Sequence, residues 1–150
     1  MNEINILVTL NERYLPPLQV LLTSLRTAHP NEPLTVWLLH SGIRPGALET
    51  VERQCGRLGL TLRCLTVDRT VFDAAPVTRQ YPREMYYRLL AGCFLPKELD
   101  RVLCIDPDTL ALNSLRPLWE TPLEGRLFAA ASHTGKTGLM NNIIQGPGPA

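Results

Sequence analysis

The chain has 150 residues, of which 45% are hydrophobic and 19% are charged, and its formal net charge is +1. This is the composition of an ordinary globular domain that is long enough to bury a core. The balanced, interspersed charge excludes a nucleic-acid surface built on a basic face, and no apolar stretch reaches the ~18 residues expected of a transmembrane helix.

The first predicted unit is a strand followed by a helix. Residues 4–10 form an almost continuous apolar run, which is typical of a buried strand. Residues 14–28 carry leucines at helical spacing, which predicts a helix. Proline is tolerated only in the first turn of a helix, so Pro16 and Pro17 mark where this helix begins.

The same order then repeats. Residues 34–39 are apolar and predict a second strand, and residues 45–57 predict a helix that opens at a proline. Gly56 or Gly59 is the expected stop signal of that helix. Residues 60–67 alternate apolar and polar side chains, which predicts a third strand.

Three further elements are predicted in the second half of the chain. Residues 84–92 predict a third helix, residues 102–105 a short apolar strand, and residues 127–131 a last short strand. Strands that alternate with helices are the pattern of an α/β protein with a mostly parallel sheet flanked by helices.

Ligands of such sheets gather at the carboxyl ends of the strands. The first strand ends at Thr9, Leu10 and Asn11, and the strand over residues 102–105 ends at Asp106. We therefore expect these two strand ends to meet around one ligand.

The most informative motif is Asp106-Pro107-Asp108. In an extended segment, side chains at positions i and i+2 point to the same side, so the two carboxylates are expected to lie together. Carboxylate oxygens suit Mn²⁺ or Mg²⁺, which can neutralise a leaving diphosphate as a Lewis acid. The motif indicates a metal-assisted nucleotide or phosphate enzyme, although two solvated loop carboxylates would have the same sequence.

Arg88 lies in a predicted helix directly after two tyrosines. It is either a solvated helix arginine or a fixed fork that binds a phosphate or a sugar, a task for which arginine is better suited than lysine. The sequence leaves both readings open.

Two other phosphate motifs are weaker. Residues 130–137 imitate a phosphate-binding P-loop, but Ala130 replaces the first glycine and the acidic strand end lies upstream instead of downstream. Asp106 and Asp108 also fit the opening motif of haloacid-dehalogenase-like phosphatases, in which Asp106 would be the nucleophile. No aspartate follows Asp108 to complete the metal site of such an enzyme.

Cysteines and histidines add no metal or nucleophile motif. The four cysteines form no C-x-x-C pair and predict reduced, partly buried thiols in a reducing compartment. His29 is expected to end a helix and His40 a strand, whereas His133 could lie at a site because it follows the last predicted strand. The first residues lead directly into a strand without the features of a signal peptide.

Residues 5–18, 85–90 and 101–108, continued by 115–119, together resemble glycosyltransferase family 8, the lipopolysaccharide galactosyl- and glucosyltransferase group. The likeness extends over about residues 3–143. It implies a GT-A fold and a retaining transfer of galactose or glucose from a UDP-sugar to a glycan or lipid-linked glycan acceptor, with Mn²⁺ or Mg²⁺ bound. A cytoplasmic protein is also expected, with peripheral attachment at the inner face of the membrane left open.

The resemblance also implies roles for individual residues. Asp106 and Asp108 would hold the metal across Pro107, with Asp106 also near the ribose. Arg88 would reach the diphosphate or the sugar of the donor. The uracil and ribose pocket would be lined by Thr9, Leu10 and Asn11.

The chain departs from the family pattern in two respects. Residues 11–13 read Asn-Glu-Arg where the family often has Asp-Asp-Asn, which changes the charge near the nucleobase. Family members also continue well beyond this length and supply a third metal ligand there. We therefore expect an incomplete, C-terminally truncated GT-A domain over residues 1–144, followed by an irregular tail over residues 145–150.

No catalytic residue is identifiable, because no acid of this chain is placed convincingly as a covalent nucleophile. Attack on the same face of the sugar, with the metal-bound diphosphate accepting the proton, is the simpler hypothesis for a retaining transfer. A non-catalytic remnant that binds a sugar nucleotide is the alternative to an active transferase.

Overall fold

The computed structural model describes residues 2–68, 70 and 84–131. Four parallel strands form one sheet in the order β3-β2-β1-β4. The strands are β1 Ile4–Thr9, β2 Leu34–His40, β3 Thr61–Thr66 and β4 Leu103–Cys104. The predicted α/β class with a parallel sheet flanked by helices is confirmed.

Two long helices connect the first three strands, and shorter helical segments follow. The helices are α1 Leu15–Ala28, α2 Pro45–Leu58, α3 Glu84–Tyr87, α4 Ala91–Phe94 and α5 Arg116–Trp119. Short 3₁₀ turns precede α1 at Glu12–Tyr14 and join α3 to α4 at Arg88–Leu90. The third predicted helix is therefore present but is interrupted by a tighter turn and continues to Phe94.

Local signals in the sequence determine the ends of the two long helices. Both carry proline in the first turn, where its missing N–H costs no hydrogen bond. Gly59 ends α2 with a φ of 65°, a left-handed conformation that glycine adopts without steric cost. The N–H of Leu60 then donates to the carbonyl of Cys55 at 2.9 Å, which closes the helix end. The predicted stop at Gly59 is confirmed.

The sheet is covered on both faces, so every residue of β1 is buried. Ile4, Ile6 and Val8 belong to a core that includes the leucines of α1. Leu7 belongs to a second core on the other face, together with Tyr87, whose side chain is fully buried. Tyr87 thereby anchors the α3 segment against the sheet next to Arg88.

The predicted strand over residues 127–131 is wrong. These residues form no strand, and Leu127 and Phe128 are 95% and 77% exposed. Three of the five residues are alanines, which have a low strand propensity, and a strand also needs an edge with which to pair. Apolar character alone was therefore an insufficient signal.

The chain divides into two compact units, residues 1–120 and residues 121–150. The first unit holds all four strands. In the described part of the second unit, residues 121–131, Glu124 has a φ of 50° and pairs with Arg126 at 3.2 Å. The predicted division into residues 1–144 and 145–150 stays a prediction, since the tail lies outside the described residues. No helix within the described ranges has the length and apolarity needed to cross a membrane.

Candidate functional site

The sheet has a topological switch point between β1 and β4. The chain passes from β1 to β2 to β3 on one side, whereas β4 pairs with the opposite edge of β1. The N–H of Ile105 donates to the carbonyl of Leu7 at 3.0 Å, which continues the pairing one residue beyond β4. The carboxyl ends of β1 and β4 therefore lie side by side, in the position where open α/β sheets bind ligands.

The segment after β4 is a turn, so its predicted extended conformation is wrong. The carbonyl of Asp106 accepts the N–H of Thr109 at 3.3 Å and its hydroxyl at 2.7 Å. Aspartate at the first position and proline at the second position of a β-turn are both favoured, which explains the conformation. Pro107 is buried and anchors the turn, while Asp106 and Asp108 are exposed. A turn, and not the alternation of a strand, presents the two carboxylates.

Arg88 and Asp106 form an ion pair at this edge. The Nη2 atom of Arg88 donates to Oδ1 of Asp106 at 2.7 Å, and the two side chains are 34% and 55% exposed. Arg88 is therefore not simply a solvated helix arginine. The fold brings it to the acidic turn from a segment 18 residues earlier in the chain.

Two polar atoms near this strand end are buried without a hydrogen-bond partner among the described residues. They are Nε of Arg88 and Oγ1 of Thr9, the last residue of β1. Most buried polar groups are paired, so such atoms call for an explanation, and a bound polar ligand would supply one.

Leu10 and Asn11 follow Thr9 but differ in what they expose. The side chain of Leu10 is only 2% exposed and lies in the core, so any contact of Leu10 with a ligand would come from its backbone. The side chain of Asn11 is partly exposed, and its Oδ1 accepts the N–H of Arg13 at 3.1 Å, which caps the following 3₁₀ turn.

Glu12 and Arg44 form a second ion pair that the sequence did not predict. The carboxylate of Glu12 accepts the backbone N–H of Arg44 at 3.1 Å and its Nε at 2.7 Å. Hydrogen bonds from the side chain and backbone of Arg44 lower the pKa of Glu12. The pair joins the loop after β1 to the loop after β2, and the only available signal was that both residues follow strand ends.

The two described histidines act as acceptors for backbone groups. His40 ends β2, and its buried Nδ1 accepts the N–H groups of Gly42 and Ile43, both at 3.3 Å. His29 ends α1, and its Nε2 accepts the N–H of Leu115 at 2.9 Å. Both predicted end positions are confirmed, whereas His133 and most of the P-loop-like segment over residues 130–137 lie outside the described residues.

The carboxylate oxygens that follow β4 suit a hard divalent cation that also binds phosphate. Within residues 2–68, 70 and 84–131, no three or more His, Cys, Asp or Glu side chains gather as a metal site. Asp106 and Asp108 provide two carboxylates, and Mg²⁺ typically takes one or two carboxylates together with substrate phosphates.

All four cysteines are free thiols, and burial raises the pKa of Cys55 to about 11.

Sequence comparison identifies a matching family and related proteins. The glycosyl transferase family 8 model matches residues 5–145. The glycosyltransferase GlyF of Streptococcus pneumoniae serotype 4 is 26% identical over 126 residues, which are 84% of this chain and 31% of that protein. General stress protein A of Bacillus subtilis is 24% identical over 102 residues, which are 67% of this chain and 36% of that protein.

Structural comparison gives the same result. The galactosyltransferase LgtC, crystallised with donor and acceptor sugar analogues, matches with a TM-score of 0.74 and 29% identity over 80% of this chain. The bifunctional glycosyltransferase WbbM matches with a TM-score of 0.63 and 20% identity over 81% of this chain, and supports the fold alone. The chain spans 43% of the LgtC chain and about a third of the curated relatives.

Proposed function

The chain belongs to glycosyl transferase family 8, and from that premise we propose that it forms the donor-binding part of a metal-dependent hexosyltransferase. The donor that we propose is a UDP-sugar that carries galactose or glucose, and the acceptor is a glycan or a lipid-linked glycan. The observation that carries the proposal is the Arg88–Asp106 pair at the switch point between β1 and β4.

Each residue at this edge then has a defined task. Asp106 and Asp108 would hold Mn²⁺ or Mg²⁺, and the metal would neutralise the charge of the leaving diphosphate. Arg88 would donate to oxygens of the diphosphate or the sugar, a task suited to its planar fork of donors. Thr9, whose buried hydroxyl has no partner among the described residues, would contact the nucleoside together with the backbone of Leu10 and the side chain of Asn11.

The acids near the site bear on the route of transfer that we propose. Glu12 lies near the edge, but its carboxylate is bound by Arg44 and is therefore not free to attack the sugar. The described residues identify no carboxylate nucleophile, so the mechanism that we propose is attack on the same face with retention. We further propose a cytoplasmic location with peripheral attachment at the inner membrane face and a role in lipopolysaccharide synthesis. The free thiols support the location, because thiols persist in a reducing compartment, and the role rests on the resemblance to the lipopolysaccharide galactosyl- and glucosyltransferase group.

Calorimetry with UDP, in the presence and absence of Mn²⁺, tests the proposal. We expect UDP to bind with Mn²⁺ present and to lose at least about tenfold in affinity in the Asp108→Asn variant, because a metal ligand is lost. Asp100→Asn is the matched control, since Asp100 is also exposed but precedes β4 at the opposite end of that strand. Equal UDP binding by wild type and Asp108→Asn would refute the proposal.

A second candidate is a non-catalytic module that binds a sugar nucleotide. It is favoured by the pair of carboxylates at Asp106 and Asp108, to which the described residues add no third ligand of the His, Cys, Asp or Glu type. Release or transfer of labelled sugar from UDP-galactose and UDP-glucose separates the two candidates, because only the transferase turns over. The family match argues against the haloacid-dehalogenase-like phosphatase.

A further inference from the structure

The packing of its neighbour fixes the backbone position of Arg88. It directly follows Tyr87, whose fully buried side chain packs in the core with Leu7 and Leu39. It opens a 3₁₀ turn, and its guanidinium donates to Asp106 at 2.7 Å. The packing of the helical segment therefore places the Arg88 guanidinium within reach of the acidic turn.

The guanidinium is only partly satisfied by Asp106. Its Nη2 is bound to the carboxylate, whereas its Nε is buried and has no partner among the described residues. A buried donor that lacks an acceptor is unfavourable until one arrives. The side chain is thus placed to be shared between Asp106 and a second, acceptor-rich group.

The ion pair has an electrostatic consequence for cation binding. A divalent cation that binds Asp106 must share this carboxylate with the positive charge of Arg88, and like charges a few ångströms apart repel each other. An incoming diphosphate would remove the conflict, because its oxygens can accept from Arg88 and its charge offsets both cations.

We propose that Arg88 makes the binding of the divalent cation and of the diphosphate mutually dependent. This inference rests on the proposed function of the site. Without nucleotide, Arg88 occupies Asp106 and keeps the affinity for free cation low. With nucleotide, the guanidinium turns to the diphosphate and the carboxylate becomes available to the cation. Coupling of this kind is reciprocal, so the cation raises the affinity for UDP by the same factor.

The test measures Mn²⁺ binding with and without UDP, from the electron paramagnetic resonance signal of free Mn²⁺. Without UDP, we expect Mn²⁺ to bind at least about fivefold more tightly to Arg88→Gln than to wild type. We also expect the factor by which UDP strengthens Mn²⁺ binding to be at least about fivefold smaller in the variant. Arg88→Lys keeps the charge and should retain weak binding of free Mn²⁺.

Arg63→Gln is the matched control, because it removes the same charge from an exposed position on β3, three strands away from β4. We expect it to leave both affinities unchanged. A folded Arg88→Gln variant, as judged by circular dichroism, that binds free Mn²⁺ no more tightly than wild type would overturn the coupling.

The outcomes separate the coupling from the function on which it rests. If wild type binds UDP with Mn²⁺ and Asp108→Asn does not, but Arg88→Gln retains the full coupling factor, then only the coupling proposal fails. If wild type shows no Mn²⁺-dependent binding of UDP, then both the function and the coupling fail.

Discussion

Arg26 is expected to be the most important polar residue for the stability of the first unit. It lies near the end of α1, and its guanidinium is within hydrogen-bonding distance of five backbone carbonyl groups at or just beyond the ends of α1 and α2, three of which share the two hydrogens of Nη1. The acceptors are the carbonyl oxygens of Leu58 at 2.7 Å, Gly59 at 2.8 Å, His29 at 2.6 Å, Pro30 at 3.2 Å and Glu32 at 3.1 Å. Replacement by alanine removes all five bonds at once.

The size of the effect follows from burial. Three of the five bonds are partly buried, those to Leu58, His29 and Glu32, whereas water can replace the two exposed ones. At about 1 kcal/mol for each partly buried bond, Arg26→Ala lowers the free energy of unfolding by about 3 kcal/mol. Arg26→Lys recovers roughly 1 kcal/mol, because one ammonium group cannot reach both helix ends.

Urea unfolding followed by circular dichroism measures this loss. The control is Arg53→Ala, because Arg53 is exposed on α2 and, among the residues that the structure describes, donates only to Thr50 of its own helix, at 3.3 Å. We expect the control to stay within about 0.5 kcal/mol of wild type. If Arg26→Ala and Arg53→Ala unfold at the same urea concentration, the assignment of Arg26 as a clamp between the helix ends is refuted.

Three further predictions concern stability. Burial lowers the pKa of His40, so the folded protein favours the neutral imidazole. The free energy of unfolding should therefore fall as the pH drops below about 6.5. His40→Asn should remove this part of a curve of stability against pH. Hydrogen bonds from His29 and, to a smaller extent, Arg116 lower the pKa of Glu32. The ionised carboxylate therefore stabilises the fold above about pH 4.5, and this stabilisation is lost as the pH falls further. Glu32→Gln should flatten the acidic part of the same curve. Because Gly59 has a left-handed backbone, Gly59→Ala should lower the free energy of unfolding in urea by about 1 kcal/mol, and Gly59→Asn should lower it by less. Equal stability of wild type and both variants would contradict the backbone explanation.

The regular elements of the first half were readable because local patterns determine them. The leucines of α1 recur at helical spacing and are buried as a stripe, and Gly59 supplies the one backbone conformation that ends α2. Nearly continuous apolar runs such as β1 indicate a strand that is covered on both faces, which implies a parallel sheet.

The polar contacts of the site could not be read from the sequence. Arg88 and Asp106 are 18 residues apart, and Glu12 and Arg44 are 32 residues apart. Such pairs exist only because strand order brings distant loops to one edge of the sheet, and no local spacing encodes that order.

The errors in the sequence-based predictions have identifiable causes. At residues 106–109 the alternation of a strand was extended into a segment whose aspartate and proline already favoured a β-turn. At residues 127–131 apolar character predicts a strand, but three of the five residues are alanines, which have a low strand propensity, and no strand forms.

The position of bound Mn²⁺ tests the central claim most directly. Mn²⁺ broadens the nuclear magnetic resonance signals of nearby amide groups, and the effect falls steeply with distance. With UDP and substoichiometric Mn²⁺ we predict the strongest broadening at Thr9, Asn11 and Thr109, where β1 and β4 end. Broadening centred instead on the acidic surface near Glu3 and Asp100, at the amino ends of β1 and β4, would contradict the claim.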